Sequence, residues 1–386
     1  MSEVAPKVYG WCPGALRPMM SGDGLVVRIR APLGRLTSDQ AQAVADLSQR
    51  YGNGLLDLSA RANLQMRGVS EKDHPILIAA LQDLGLVDTD AATEARRNVL
   101  ITPFWNQGDE THKLGQQLSN ALTAATDLSL PGKFGFAIDT GPSPVLRDTA
   151  ADIRIERNSD GLVLIADRAE TGLPVTAATA VKEALSLAHW FLAHGGAPDG
   201  RGRMKTLIAR RGPPSAHVAN LGSPAERPIL GQTATGQLVG LEFGQIPATS
   251  YAQLATHRAL RLTPWRALLV EGASNLAPLP GLILDATDPR LRVSVCTGAP
   301  GCTQALSPTR QLARDLAPHV PAKSPLHLSG CAKGCAHPAA APLTLTATGA
   351  DTFNLIRNGK ASDPPAKTHL SAADLRASPD LLTKGS

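Results

Sequence analysis

Four of the five cysteines in this chain fall in two short stretches, CTGAPGC at 296–302 and SGCAKGCAHP at 329–338. Cys296 and Cys302 have five residues between them, and Cys331 and Cys335 have three. Thiolates are soft ligands, so the chemistry on offer is metal or cluster binding, with disulfide formation as the alternative. Gly298, Pro300 and Gly301 supply a turn for the first stretch. Gly330 and Gly334 leave backbone amides unshielded in the second, where N–H groups can reach bound inorganic sulfur. Two disulfides are disfavoured in a chain without a secretory signal. Structural zinc prefers knuckles of the CxxC type, which neither pair has. A [4Fe–4S] cluster in glycine-rich loops suits both stretches best, although the spacing by itself matches none of the common ferredoxin runs. Cys12, in WCPGALRPMMSGDG, reads as a small buried thiol beside a proline turn.

A second pattern is RANLQMRG at 61–68. In an extended chain alternate side chains share a face, so Arg61, Asn63, Gln65 and Arg67 point one way and Ala62, Leu64 and Met66 the other. A solvated strand face is the plain explanation. Two guanidiniums with two amides also form an array suited to a ligand carrying several carboxylates. Lys133 in LPGKFGFAID and Arg261 in ALRLTPWRALL extend the set, with Arg258 and Arg266 as weaker candidates of the same kind. His327 and His337 flank the last two cysteines, where each could equally pack as a plain side chain. Nothing in the spacing of Met19, Met20 or the four tryptophans lifts them above core packing.

The chain that must position these groups has 386 residues, more than one comfortable core, with 43% hydrophobic residues to fill two or more. Its 18% charged residues mix both signs, which excludes extended disorder. No stretch reaches the roughly 18 apolar residues of a membrane span. MSEVAPKVYGW has neither a basic start nor an apolar run, so a cytoplasmic protein is expected. The net charge of +5 suits an anionic partner. Nucleic acid is disfavoured, because Lys and Arg are dispersed and aromatics are only 3%. Neither GxGxxG nor GxxxxGK[ST] occurs, so no nicotinamide or ATP site is expected.

Periodicity predicts a strand at 24–30, a helix at 39–50, an extended run at 54–68 and a helix ending near 85. A second segment follows: strand 98–102, helix 111–126, strands 133–139, 152–157 and 162–166, and helix 176–193. The order then restarts with strand 236–243, helix 249–260 and strand 261–271, followed by strand 292–296, helix 303–317 and strands 325–329 and 343–348. The chain thus reads as an internal duplication, with a tail from 362 onward that wraps the surface or is loose.

The paired cysteine stretches, RANLQMRG and LPGKF together resemble the sirohaem-dependent nitrite and sulfite reductase family, over about residues 10–365. CPGALRPMMSGDGLVVR, SGCAKGCAHP and LIRNGKASDPP bring the chain closest to the cobalamin-synthesis branch, the precorrin-3B synthases. The resemblance implies an α+β, pseudo-twofold duplicated fold of ferredoxin-like half-domains plus two α/β cluster-type domains. The expected units are a first half-domain at 10–88, a cysteine-free α/β domain at 89–222, a second half-domain at 223–288, a [4Fe–4S]-binding domain at 289–366 and a tail at 367–386. It further implies Cys296, Cys302, Cys331 and Cys335 as cluster ligands, and Arg61, Asn63, Gln65, Arg67 and Lys133 as holders of the tetrapyrrole carboxylates, to which the residue pattern adds Arg261. In that branch precorrin-3A is the substrate, hydroxylated with O2 and closed to a lactone, using a mononuclear non-haem iron whose ligands this sequence does not nominate. Electrons come from an external donor or an NADH-linked reductase. The alternatives are a true nitrite or sulfite reductase with bound sirohaem, and a non-catalytic zinc-stabilised binding protein.

Overall fold

The computed structural model describes residues 13–383, arranged as four sheets with helices on their faces. The first sheet runs, in spatial order, Met19–Ser21, Gly24–Ile29, Leu64–Val69, Leu55–Leu58 and Gln245–Pro247. The second runs Gly231–Gln232, Gly236–Leu241, Ala267–Glu271, Leu260–Leu262 and Arg35–Leu36. Each sheet therefore takes its far edge strand from the other half of the chain. Ile246 pairs with Leu56, and Leu36 pairs with Leu260.

The cause of this exchange is legible in the backbone. Each half leaves its first long strand through a short 3-10 turn, Pro32–Gly34 or Glu242–Gly244, whose middle residue sits at positive φ: Leu33 at 51° and Phe243 at 54°. That kink sends the chain across to the neighbouring sheet before the helix begins. The helices Ser38–Tyr51 and Ala248–Ala255 then pack on one another, with Ser38 Oγ donating to the Ala255 carbonyl at 2.8 Å. Thr37 and Gln40 form a reciprocal cap that fixes where the first helix starts. One apolar core joins both halves, with Leu36, Leu56, Met66, Ile246, Tyr251 and Leu260 all fully buried.

Two extended runs expected from the sequence are hairpins. The run at 54–68 breaks into Leu55–Leu58 and Leu64–Val69, because the Ser59 hydroxyl accepts the amides of Arg61 and Asn63 and Ala62 turns at φ 52°. The run at 261–271 breaks likewise, with Thr263 accepting the Trp265 amide and Arg266 at φ 57°. Serine and threonine bend the chain by offering it a local acceptor.

The third sheet is ordered Val99–Ile101, Phe136–Asp139, Ile153–Arg157, Leu162–Ala166, Thr171–Val175 and Ala219–Asn220. The fourth is ordered Val293–Val295, Leu326–Ser329, Ala341–Gly349, Thr352–Gly359 and Lys367–Ser371. Both begin with three parallel strands and then turn antiparallel, so the duplication extends to these domains. The expected helix at 303–317 is only Arg310–Leu316. Residues before it bridge the cysteine stretches: Ser307 accepts the Ala299 amide, and Leu306 donates to Gly330. The segment expected to wrap the surface or hang loose is built into the last sheet and its core. Lys367–Ser371 adds an edge strand, and Leu375 and Leu382 are fully buried in the core of the last sheet. Among the described residues, no helix is long and apolar enough to cross a membrane.

Candidate functional site at the cysteine loops

Cys296 directly follows the strand Val293–Val295, and Cys331 lies two residues past the strand Leu326–Ser329. These strands are parallel neighbours, so both cysteine loops leave the same carboxyl-terminal sheet edge, where open α/β sheets bind ligands. The loops are tied together. Leu306 donates to the Gly330 carbonyl at 2.8 Å, and the Gly330 amide donates to Cys296 Sγ at 3.1 Å. A Cβ at position 330 would lie 2.8 Å from the Ala305 Cβ and 3.4 Å from Cys296 Sγ, so glycine is what lets this amide approach the sulfur.

All four cysteines are free thiols, with Cys335 exposed and the other three half-buried. Burial raises the pKa of Cys331 and Cys335, and the other cysteines add to the rise while Lys333 opposes it. Each of these two sulfurs thus feels the charge of Cys296 and Cys302. Among the described residues, no group of three or more His, Cys, Asp or Glu is close enough to hold a single metal ion. Cys12 lies outside the described residues.

Against the first cysteine loop stands a polar face of the first sheet. Register places Arg28 opposite Gln65, Gln65 opposite Asp57, and Asp57 opposite Gln245, across four strands. Arg28 donates to Gln65 Oε1 at 2.6 Å, and Gln245 donates to Asp57 at 2.7 Å. Arg67 is buried among Asp23, at 2.8 Å, and Asp57, at 3.4 Å, and its guanidinium also donates to the Gly301 carbonyl at 2.6 Å. Burial opposes the Arg67 charge, but Asp57 and Asp23 outweigh it and raise the pKa. Ser21 donates to the same Gly301 carbonyl at 2.7 Å, which fixes the sheet on the loop. Arg310, at the start of its helix, lies 3.9 Å from Asp57, senses Cys296, and keeps a buried Nε with no partner.

The hairpin turn corrects the expectation of one shared strand face. Gln65 and Arg67 do alternate with buried Leu64 and Met66, but Arg61 and Asn63 sit in the turn. Arg61 reaches the cysteine-free α/β domain and donates to the Lys133 carbonyl at 2.8 Å, so the structure brings Arg61 and Lys133 together. Asn63 is buried, with Nδ2 lacking a partner. Beside it Arg30 is buried with Nε and Nη1 unpartnered, and burial pushes its pKa down to about 10. Arg30, Asn63 and Arg97 line one small cavity of about 10 Å³. Arg30 went unnoticed in the sequence, although it ends GLVVRIR, where an arginine follows a run of buried strand residues.

Arg261 does not join this group. It is held by Glu271 at 2.5 Å, lies 4.0 Å over the Trp105 ring, and donates to the Pro103 and Trp105 carbonyls of the cysteine-free domain. His327 is fully buried with both ring nitrogens unpartnered, its ring 5.7 Å from that of His337. Burial, then His337 and Arg266, pushes the His327 pKa down to about 4.

Comparison with known proteins follows this geometry. The profile of the nitrite/sulfite reductase ferredoxin-like half domain matches residues 17–84. A precorrin-3B synthase from Sinorhizobium sp is 30% identical over 403 residues, covering 94% of this chain and 86% of that protein. A ferredoxin–nitrite reductase from Synechococcus elongatus is 34% identical over 135 residues, covering 32% of this chain and 26% of the reductase. The solved structure of the Mycobacterium tuberculosis NirA protein superposes with a TM-score of 0.66 at 17% identity, over 92% of this chain and 79% of that one, which shows a shared fold.

Proposed function

Because this chain belongs to the precorrin-3B synthase branch of the nitrite and sulfite reductase family, we propose that it is an oxidoreductase of aerobic cobalamin biosynthesis that hydroxylates precorrin-3A and closes its lactone. In a monooxygenation of this kind one atom of O2 enters the substrate and the other leaves as water, consuming two electrons and two protons from outside the chain. The observation that carries the reading is the docking of a polar sheet face, through Arg67 and Ser21, on the Gly301 loop that carries Cys296 and Cys302 and is bonded to the loop of Cys331 and Cys335.

Cys296, Cys302, Cys331 and Cys335 would hold a [4Fe–4S] cluster. The fit rests on the donor set: four sulfurs on two bridged loops, thiols at Cys331 and Cys335 whose pKa is raised by burial and then by the neighbouring cysteines, and an amide already aimed at sulfur. A bound metal core offsets both causes by stabilising the thiolates. When bound, the cluster supplies electrons one at a time from an external donor, or from NADH through a separate reductase. Mononuclear non-haem iron is different. The described residues offer no set of ligands that fits it.

The substrate is an anionic tetrapyrrole, and the chain's own part is to hold it. Arg61, Lys133, Asn63, Gln65 and Arg30 are the holders we assign: Arg61 donates to the Lys133 carbonyl across two domains, and Asn63 and Arg30 keep buried donors without partners. Arg67 contributes by clamping the sheet to the cysteine loop, since its guanidinium is already occupied by Asp23, Asp57 and Gly301. A charge-assisted hydrogen bond to each carboxylate contributes about 1.5–3 kcal/mol.

Purified protein tests the reading directly. Iron and acid-labile sulfide should be found at cluster stoichiometry, and precorrin-3A should turn over with a reduced donor only once O2 is admitted. Zinc without sulfide, or turnover unaffected by O2, overturns it. The likeness to a ferredoxin–nitrite reductase supports a second reading, a sirohaem reductase, for which intense sirohaem absorption bands would speak.

A further inference from the structure

The duplication that gives the chain two hairpins also gives it a cavity under each. Under the first lie Ala62 of the turn, Leu33 and Val99. Under the second, Arg266, Phe243 and Val293 take the matching places. The first cavity, at about 10 Å³, is almost closed, whereas the second is a cleft of about 450 Å³. That size lies in the range of small-molecule sites, roughly 300–1,000 Å³.

Two guanidiniums line this cleft without an acidic partner. Half-buried Arg266 donates to the Ala336 carbonyl at 3.0 Å and to Ser294 Oγ at 3.4 Å, and Arg227 donates to the Trp265 carbonyl. No carboxylate among the described residues raises the pKa of either one, and burial lowers both. Acids close by are already engaged: Glu242 holds Arg290 and Arg314, and Asp288 holds Arg290. Two like charges facing a shared cleft repel, and an anion between them removes the repulsion. Apolar side chains share the lining: Ile229 and Leu291 are 75% and 40% exposed, and Trp265 is buried.

The geometry points to a second ligand site in this cleft, for a small organic anion with a carboxylate head on Arg227 and Arg266 and an apolar body against Ile229, Trp265 and Leu291. A guanidinium binds a carboxylate through two parallel hydrogen bonds, and a flat apolar body covers side chains that otherwise stand in water. The site differs from the cysteine-loop face, and its tie to the Ala336 carbonyl places an occupant one residue from Cys335.

Calorimetric titration of the full-length protein with 2-naphthoate tests it, with 2-naphthamide as the uncharged match. One naphthoate per chain should bind, the amide should bind about tenfold more weakly or worse, and Arg227→Ala should weaken naphthoate to a similar degree. The guanidinium of Arg227 is partly desolvated but the residue as a whole is exposed, so its replacement spares the core, and an unchanged thermal melt verifies this. Arg61→Ala, in the other cavity's hairpin, should bind naphthoate as the native chain does. Absence of saturable binding, equal affinity for the amide, an indifferent Arg227→Ala variant, or loss of binding in Arg61→Ala would each overturn the proposal.

Discussion

Asp57 and Arg67 face each other across the first hairpin with charged ends 3.4 Å apart, ten positions apart in sequence. In the second hairpin the same two places hold Arg261 and Glu271, 2.5 Å apart. The charges are exchanged while the pairing is kept. Each arginine also donates to the loop after the first parallel strand of the α/β domain it faces, Arg67 to Gly301 and Arg261 to Pro103 and Trp105. What duplication preserved is the clamp between sheet and loop, whichever strand supplies the guanidinium.

Arg67→Ala should therefore act chiefly on stability. It strands two carboxylates and frees the Gly301 carbonyl, and breaking a buried pair from one side costs about 3–5 kcal/mol. Urea unfolding measures the loss. A second change, Asp57→Ala, should cost much less in the Arg67→Ala background than in the native one.

Replacing Arg61 or Arg30 should act on ligand affinity instead. Arg61→Ala and Arg30→Gln should each weaken binding of the anionic tetrapyrrole by about 1–3 kcal/mol. The absorption of the cluster should be unchanged, and a titration followed by absorbance reads both quantities in one sample.

Serine at any one of positions 296, 302, 331 or 335 should remove iron and acid-labile sulfide together. Cys12→Ser should retain both. Colorimetric iron and sulfide assays on anaerobically purified variants distinguish the four from the fifth.

Asp139 supplies a pH dependence. Burial raises its pKa from 3.8 to about 6, with the Val145 and Leu146 amides only partly opposing. The folded chain then binds this proton more tightly than the unfolded one, so stability is lost as pH rises from about 4 to about 6, on the order of 2–3 kcal/mol. Asp139→Asn keeps an acceptor for both amides and should flatten the thermal-melting profile over that interval.

Much of this architecture could be read from residue order. The apolar runs in GLVVRIR and LQMRG mark strands of a buried sheet, and the repeat of strand, helix and hairpin between 24 and 271 is visible despite little identity in letters. Periodicity reads 54–68 and 261–271 as single extended runs because it does not register the one hydroxyl each, of Ser59 and Thr263, that turns the chain into a hairpin. Likewise, the length of the helix after Cys302 depended on Ser307 and Leu306 being taken up by hydrogen bonds between loops. The cysteines announce themselves by type, whereas Arg30 becomes conspicuous only once burial strips its Nε and Nη1 of partners.

The exchanged edge strands set a schedule for biosynthesis. Leu55–Leu58 has no neighbour on its outer side until Gln245–Pro247 arrives, nearly two hundred residues later along the chain. While the ribosome works through the intervening domain, the backbone of Leu55–Leu58 stays open to pairing with a stranger. Release of the second half closes both borders at once, and neither half-sheet can be expressed alone without leaving one bare.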